Sequence, residues 1–222
     1  MSNNRSRLPS FLRLHLTTLA VAIGERVKKG TFRPCVETIP TSTLMGCFFE
    51  HFGFRDFVAI GFFDEDSYQK KLHTYAPFDS AIGTAKLPLV IEYLAPKDGI
   101  KEITGDIYVA ASDETRCIFN DNSDYLVSIG AMRSKGFGQL RLRLKQEVQP
   151  MTKIGYLRGR LRENDALAFG IDPKRDIISP NYGYLFRPDM HRISGHYERA
   201  ILPGTILEGP DFLIGEEYQY DR

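Results

Sequence analysis

The chain has 222 residues, 42% of them hydrophobic and including 15 Phe and 11 Tyr, enough apolar surface to bury a substantial core and to exclude a disordered chain. Its net charge of +1 excludes a protein coated in positive charge. No apolar run approaches the roughly 18 residues of a membrane helix, and the opening MSNNRSRLPS lacks the apolar run of a secretory signal, so a cytoplasmic protein without a membrane partner is expected.

Three cysteines, Cys35, Cys47 and Cys117, occur without CxxC-type pairs, so neither a disulfide framework nor a zinc site is expected, and no cofactor is implied. Charge is unevenly spread. Between Tyr125 and Gln146 there is no acidic residue, whereas Arg133, Lys135, Arg141, Arg143 and Lys145 are all basic. A second basic cluster is Arg26, Lys28, Lys29 and Arg33, and the last stretch is acidic, with Glu208, Asp211, Glu216, Glu217 and Asp221. Localised basic surface on a neutral protein points to a specific polyanion groove.

In chain order, Phe11 to Val21 is predicted as a strand because Leu12, Leu14 and Leu16 alternate with Arg13, His15 and Thr17. Ile23 and Gly24 end it, and a basic loop runs to Pro34. The segment TSTLMGCFFEHFG predicts a short helix: Thr41 or Ser42 caps it, Leu44, Phe48 and Phe52 make the apolar stripe, and Gly53 stops it. Gly46 in its interior costs about 1 kcal/mol relative to Ala.

Phe57 to Phe63, Leu87 to Leu94 and Ile103 to Ala111 read as strands, with Pro88 suggesting an edge or an early strand position. Ser123 to Ile129 is too short for its period to separate helix from strand. Gln139 to Lys145 alternates throughout, with Leu140, Leu142 and Leu144 facing a core and Gln139, Arg141, Arg143 and Lys145 facing away. Beyond Pro150, strands are expected at Tyr156 to Leu161, Tyr182 to Phe186, Ser194 to Leu202 and Thr205 to Glu208, separated by GIDP, SPNYG, RPD and LPG. This order of elements fits an α+β fold with a ferredoxin-like sheet, an inserted β region and a smaller β-rich C-terminal unit.

The segment with the most chemistry is GAMRSKGFG. Gly130, Gly136 and Gly138 permit positive φ and close approach, so backbone N–H groups can converge on an anion. Arg133 and Lys135 add charge, the Ser134 hydroxyl can donate to a phosphate oxygen, and Phe137 either packs inward or stacks a base. The spacing is not a Walker loop, because Gly138 runs directly into a strand, and it lacks the context of a dinucleotide site. The plain alternative is a glycine-rich turn carrying solvated charges.

The loop GAMRSKGFGQLRL resembles the glycine-rich loop of the RAMP superfamily, the CRISPR-associated RNA-binding proteins, in which a G-x-x-R-S-x-G-x-G-like run precedes a strand. The segment IPTSTLMG, Ile39 to Gly46, resembles the family's helix start, and SPNYGYLFRPD with LPGTILEGPDFLI resembles the C-terminal half of the subunits that cap the five-prime handle of the guide RNA in type III effector complexes. This resemblance implies an RRM-type, ferredoxin-like RNA-binding domain over residues 1–150 with an insertion at about 64–120, followed by a smaller β-rich region over 151–222.

It also implies a partner, crRNA, together with the large polymerase-cyclase-type subunit and the backbone RAMP subunits of one complex, and target RNA indirectly. The expected RNA contacts are Arg26, Lys28, Lys29 and Arg33 in the basic loop, Ser42 and Thr43 at the helix start, and Gly130, Arg133, Ser134, Lys135, Gly136, Phe137 and Gly138. Ser42 and Thr43 can cap the helix and take a phosphate at once.

Catalysis is not expected. Related backbone subunits cut target RNA with an aspartate in the loop after the first strand, but GERVKKGTFRPC holds Glu25 and no Asp. Guide-processing relatives use general acid–base chemistry, often from a histidine near the first helix. His51 and His15 stand in candidate positions, so a metal-independent endoribonuclease is the alternative, as is a backbone subunit polymerising along the guide. The acidic run Asp64, Glu65 and Asp66 reads as a solvated turn rather than a magnesium site.

Overall fold

The computed structural model describes residues 8–24, 31–54, 57–76, 78–79, 81, 83–85, 87–120, 123–188 and 195–218. The first strand, β1 (Phe11–Thr18), buries Leu12, Leu14 and Leu16 and leaves Arg13, His15 and Thr17 partly exposed, as its alternation requires. It ends before Val21: Leu19 turns out to solvent, and Val21 keeps only an isolated bridge to Leu94. Short strands β2 (Phe32–Arg33) and β3 (Thr38–Ile39) lead to helix α1 (Thr41–Phe52).

Neither Thr41 nor Ser42 caps α1. Pro40 is the N-cap residue, whose side chain has nothing to offer the first-turn amides. Gly53, at φ 70°, closes the other end by donating its N–H to the Phe49 carbonyl, as predicted. Strand β4 (Ala59–Phe63) is buried throughout. Next come β5 (Tyr68–Tyr75), the small pair β6 (Phe78–Asp79) and β7 (Thr84–Ala85), and β8 (Leu89–Pro96).

Strand β5 has no counterpart among the expected elements, because YQKKLHTY offers no apolar face. It pairs with β8, whose other edge takes β2, so β8 is the central strand of a three-stranded sheet, and Pro88 simply precedes it. Strand β9 (Ile103–Ala110) follows, then a second helix, α2 (Asp113–Ile118), also unexpected from the sequence. Ser112 accepts the Thr115 amide while the Thr115 hydroxyl accepts the Ser112 amide, a reciprocal cap that starts the helix without an apolar stripe. The ambiguous segment is a strand, β10 (Asp124–Ser128), and β11 (Gln139–Val148) extends past the predicted end.

The main sheet is six-stranded and antiparallel, in the order β10-β11-β1-β9-β4-β3. Strand β9 lies in its middle, whereas β5 to β8, between β4 and β9 in the chain, belong to two separate small sheets. Leu44 and Phe48 of α1 pack on Leu12, Leu14, Leu16, Ile107, Leu140 and Leu142, forming the core under one face. Phe48 and Phe119 meet edge to face at 5.5 Å, with Phe52, Phe57 and Tyr125 around them.

After Pro150 the chain forms β12 (Thr152–Leu157), β13 (Leu161–Arg162), a 3-10 turn (Glu163–Phe169), β14 (Ile177–Ser179), β15 (Tyr182–Pro188), β16 (Gly195–Ile201), β17 (Ile206–Pro210) and β18 (Ile214–Glu217). The single strand expected at Tyr156 to Leu161 is broken at Arg158 to Arg160, so β12 and β13 join different sheets, β14-β17-β12-β18 and β13-β16-β15. These elements bury Leu157, Phe169, Leu207 and Phe212 against Phe11, Ile60 and Phe62 of the main sheet. Tyr108 stacks on Phe212 at 4.0 Å. No helix among the described residues is long and apolar enough to cross a membrane.

Candidate nucleic-acid interface

The glycine loop is a packed element. Ala131 N–H donates to the Ala22 carbonyl at 2.8 Å, Gly138 N–H to Ala20 at 2.7 Å, and Ile129 N–H to Gly138 at 2.9 Å, so the loop is laced to the segment that follows β1. A Cβ on Gly130 would lie 2.3 Å from the Ala22 oxygen, and one on Gly138 1.9 Å from the Ile129 oxygen; both residues have positive φ. Their glycines are required by backbone against backbone, not by approach to a ligand.

Between them, Met132 takes φ 59° and Arg133–Lys135 form one 3-10 turn that lifts Arg133, Ser134 and Lys135 into solvent. Gly136 has open space where a Cβ would stand. Phe137 is partly exposed and meets Tyr93 edge to face at 5.0 Å, and Lys135 Nζ lies 5.7 Å from the Tyr75 ring centroid. Arg33 lies in β2 on the inserted sheet, paired with Ile91. Arg26, Lys28 and Lys29 lie outside the described residues, as does Glu25.

Four predicted residues meet at one cleft of about 410 Å³: Ser42 and Thr43 from the start of α1, and Gly130 and Arg133 from the loop. Ile23 and Gly24 form its edge beside them. No side chain caps α1; the Thr43 and Leu44 N–H groups donate to the Pro40 carbonyl at 3.0 and 3.2 Å, and the positive end of the helix dipole faces this cleft, an arrangement that favours an anion. Arg133 reaches Glu50 of α1 at 2.8 Å, but both side chains are about half exposed, so the pair is weak and exchangeable.

The opposite wall is not anticipated by the sequence motifs. It consists of Arg160 together with Tyr184, Phe186 and Tyr197 from β15 and β16. Burial pushes the Arg160 guanidinium down from its ordinary value. Beneath this wall Arg162, 5% exposed, donates to Asp165 at 2.6 and 2.7 Å and to Glu198 at 3.0 Å, tying β13, the 3-10 turn and β16 together. The signals available in the sequence are the alternation of Arg158, Arg160 and Arg162 and that of Tyr182, Tyr184 and Phe186.

Cys47 lines the cleft, but burial pushes its thiol up to about 12, which leaves it protonated and unfit as a nucleophile. Cys35 is raised for the same reason, and Cys117 is exposed.

The basic residues of β11 do not join the loop. Leu140 and Leu142 point into the core shared with α1, so Arg141, Arg143 and Lys145 project from the other face of the sheet. There Arg13 donates to Asp106 at 3.0 Å, Lys145 at 3.3 Å, and Arg143 reaches Asp124 at 2.9 Å. Burial by itself would raise the Asp106 carboxyl, but hydrogen bonds and charge from Arg13 and Lys145 prevail and hold it below the usual carboxylate range.

Of the histidines, His15 places Nδ1 3.7 Å from Asp106 on that same face, and His51 Nε2 meets the Leu126 carbonyl. His196 Nε2 lies 3.1 Å from Glu198, His73 lies near Phe137, and His191 falls outside the described residues. The Asp64 carbonyl accepts from Ser67 and its carboxylate from Thr104 at 2.6 Å, a turn-closing role. Among the described residues no group of three or more His, Cys, Asp or Glu gathers as a metal site.

No protein-family model and no curated protein matches the sequence. Solved structures do match the fold. A chain in the cryo-EM structure of the type III-B Cmr-beta complex bound to cognate target RNA and AMPPnP superposes with a TM-score of 0.57 at 11% identity, covering 88% of this chain and 86% of that one. A chain of the same complex bound to cognate target RNA gives 0.54 at 12% identity over the same shares. This chain therefore shares the mixed α+β fold of a subunit found in those RNA-bound CRISPR complexes.

Proposed function

We propose that this chain is a non-catalytic crRNA-binding subunit of a type III CRISPR effector ribonucleoprotein, and that it holds the five-prime handle of the guide. The observation that carries this reading is the meeting of two motifs about ninety residues apart, IPTSTLMG and GAMRSKGFG, at one cleft whose wall supplies Arg133, Arg160 and an uncapped helix start. Guanidinium groups and the positive end of a helix dipole hold a phosphate backbone without reading its sequence. The fold likeness to subunits of RNA-bound Cmr complexes supports the setting.

The arrangement of β11-β1-β9-β4, with α1 between β1 and β4 and α2 between β9 and β11, supports a ferredoxin-like core. The partners are then the large polymerase-cyclase-type subunit and the backbone subunits, which bring target RNA to the guide.

Filter binding of the purified chain to repeat-derived RNA across a salt series tests the reading. Affinity falling steeply with salt, together with native mass spectrometry showing one copy per guide, is expected; absence of RNA binding refutes it. One observation favours a second reading. His15 beside Asp106, with Arg13 and Lys145 adjacent, has the parts of a metal-independent endoribonuclease on the sheet face away from α1. Discrete cleavage of repeat RNA in EDTA, abolished by His15→Ala, would establish it and displace the first.

A further inference from the structure

The hairpin β15–β16 carries a feature that phosphate binding leaves unused. Its register pairs Phe186 with Tyr197, Tyr184 with Arg199 and Tyr182 with Ile201, so Tyr182, Tyr184, Phe186, Tyr197 and Arg199 share one face. Phe186 and Tyr197 meet edge to face at 5.5 Å, and the Arg199 guanidinium lies 3.9 Å from the Tyr182 ring centroid. Yet Tyr184 is 69% and Tyr197 47% exposed. Side chains this large and this apolar, gathered on one face beside a basic cleft, are a surface waiting for a flat partner.

From this face we infer that the hairpin stacks unpaired nucleobases of the same RNA strand whose phosphates lie along Arg133, Arg160 and the start of α1, so that the chain selects single-stranded over duplex RNA. The inference rests on the RNA-binding reading above and deepens it. Three observations favour nucleobases. Tyr184, Phe186 and Tyr197 line the very cleft that holds the two arginines, so a strand running past those cations brings its bases to the rings. Ring faces accept any base, and an adjacent guanidinium adds cation–π attraction.

The cleft's 410 Å³ is also near the small end of small-ligand pockets, room for about one nucleotide. Finally, the rings stand on a rigid base. Glu198 of β16 is locked by Arg162, itself held by Asp165, so the hairpin loses little freedom when a base stacks on it.

The test uses the purified chain, a single-stranded repeat RNA carrying 2-aminopurine, the same strand with an abasic nucleotide at each successive position, and its blunt duplex. The wild type is expected to bind the intact strand more tightly than the duplex and to quench the 2-aminopurine, and one abasic position should weaken binding. Replacing Tyr184→Ala together with Tyr197→Ala should weaken the intact strand roughly ten-fold or more, while Tyr184→Phe keeps wild-type affinity. Arg133→Ala should weaken intact and abasic strands alike.

If the alanine pair binds the strand like wild type, with Arg133→Ala still defective, base stacking is overturned and the RNA-binding reading stands. Should that pair keep RNA affinity but fail to enter the assembled complex, the hairpin faces a protein subunit, and stacking is again overturned. A wild-type chain that binds no RNA at all removes both. Unchanged circular dichroism of the alanine pair, expected for exposed rings, excludes misfolding; if it changes, the wild-type chain decides, since no 2-aminopurine quenching and no loss of affinity at any abasic position overturn base stacking.

Discussion

Two surfaces of this protein read alike as basic in the sequence and differ in the fold. On the cleft side, Arg133 and Arg160 stand with an uncapped helix start and exposed tyrosines, and the ion pair of Arg133 with Glu50 is exposed and exchangeable. On the strand face, Arg13 and Lys145 converge on Asp106, which is largely buried, while the pair of Arg143 with Asp124 is as exposed as that of Arg133 with Glu50. The difference teaches that a count of cations overstates polyanion affinity. What matters is whether a cation is held by a buried carboxylate or by an exposed, exchangeable one.

The largest expected effect breaks the cleft itself. Gly138→Ala drives a Cβ to 1.9 Å from the Ile129 oxygen at a φ of 74°, so it should destabilise the chain by about 2 to 4 kcal/mol in a denaturant melt. Gly136→Ala meets open space and suffers only from its positive φ, about 1 kcal/mol. Equal losses would show that the loop does not rest on its glycine contacts.

Salt dependence sharpens the comparison next. Replacing Arg133 and Arg160 with Ala should lower the magnitude of the log–log salt slope of RNA binding by about 0.7 for each phosphate that is no longer neutralised. Replacing Arg141, Arg143 and Lys145 should leave that slope nearly unchanged. The reverse pattern would move the RNA to the strand face.

A smaller effect reports the internal neutralisation of that face. Asp106 has a folded pKa below its unfolded value of about 3.9, so its stabilisation is present above that value and is lost as pH falls through the folded pKa. Asp106→Asn should therefore cost roughly 1 to 2 kcal/mol at pH 7 and converge with wild type in strong acid. A constant difference at all pH values would mean the ion pairs contribute nothing.

The smallest effect is a rate. At about pH 8.5 a thiol reagent should label exposed Cys117 promptly, while Cys35 and Cys47 react only on unfolding, because burial raises both thiols. Prompt labelling of Cys47 would show that the cleft floor opens.

How much is legible in the sequence depends on whether a signal is local. The alternation of β1 and β11 and the Leu44 and Phe48 stripe of α1 are legible because each records one element facing one core. Strand β5 is not, since its pairing with β8 is made by backbone, and its side chains are polar on both faces. Helix α2 escapes notice although Ser112 and Thr115 announce its cap, a local signal hidden by the want of an apolar stripe. At the cleft, Ser42, Thr43, Gly130 and Arg133 belong to recognisable motifs, whereas Arg160, Tyr184, Phe186 and Tyr197 do not.

By itself the sequence determined the period of each strong element, the glycine positions of the loop and the identity of its charged groups, because these follow from backbone sterics and side-chain alternation. Only the tertiary structure decided which face of β11 meets the helix, and so which arginines share a surface. It also decided that Gly130 and Gly138 serve Ala22 and Ile129, and that a hairpin far along the chain supplies the aromatic wall. The physical reason is that antiparallel pairing and core burial bring together residues whose separation along the chain carries no periodic trace.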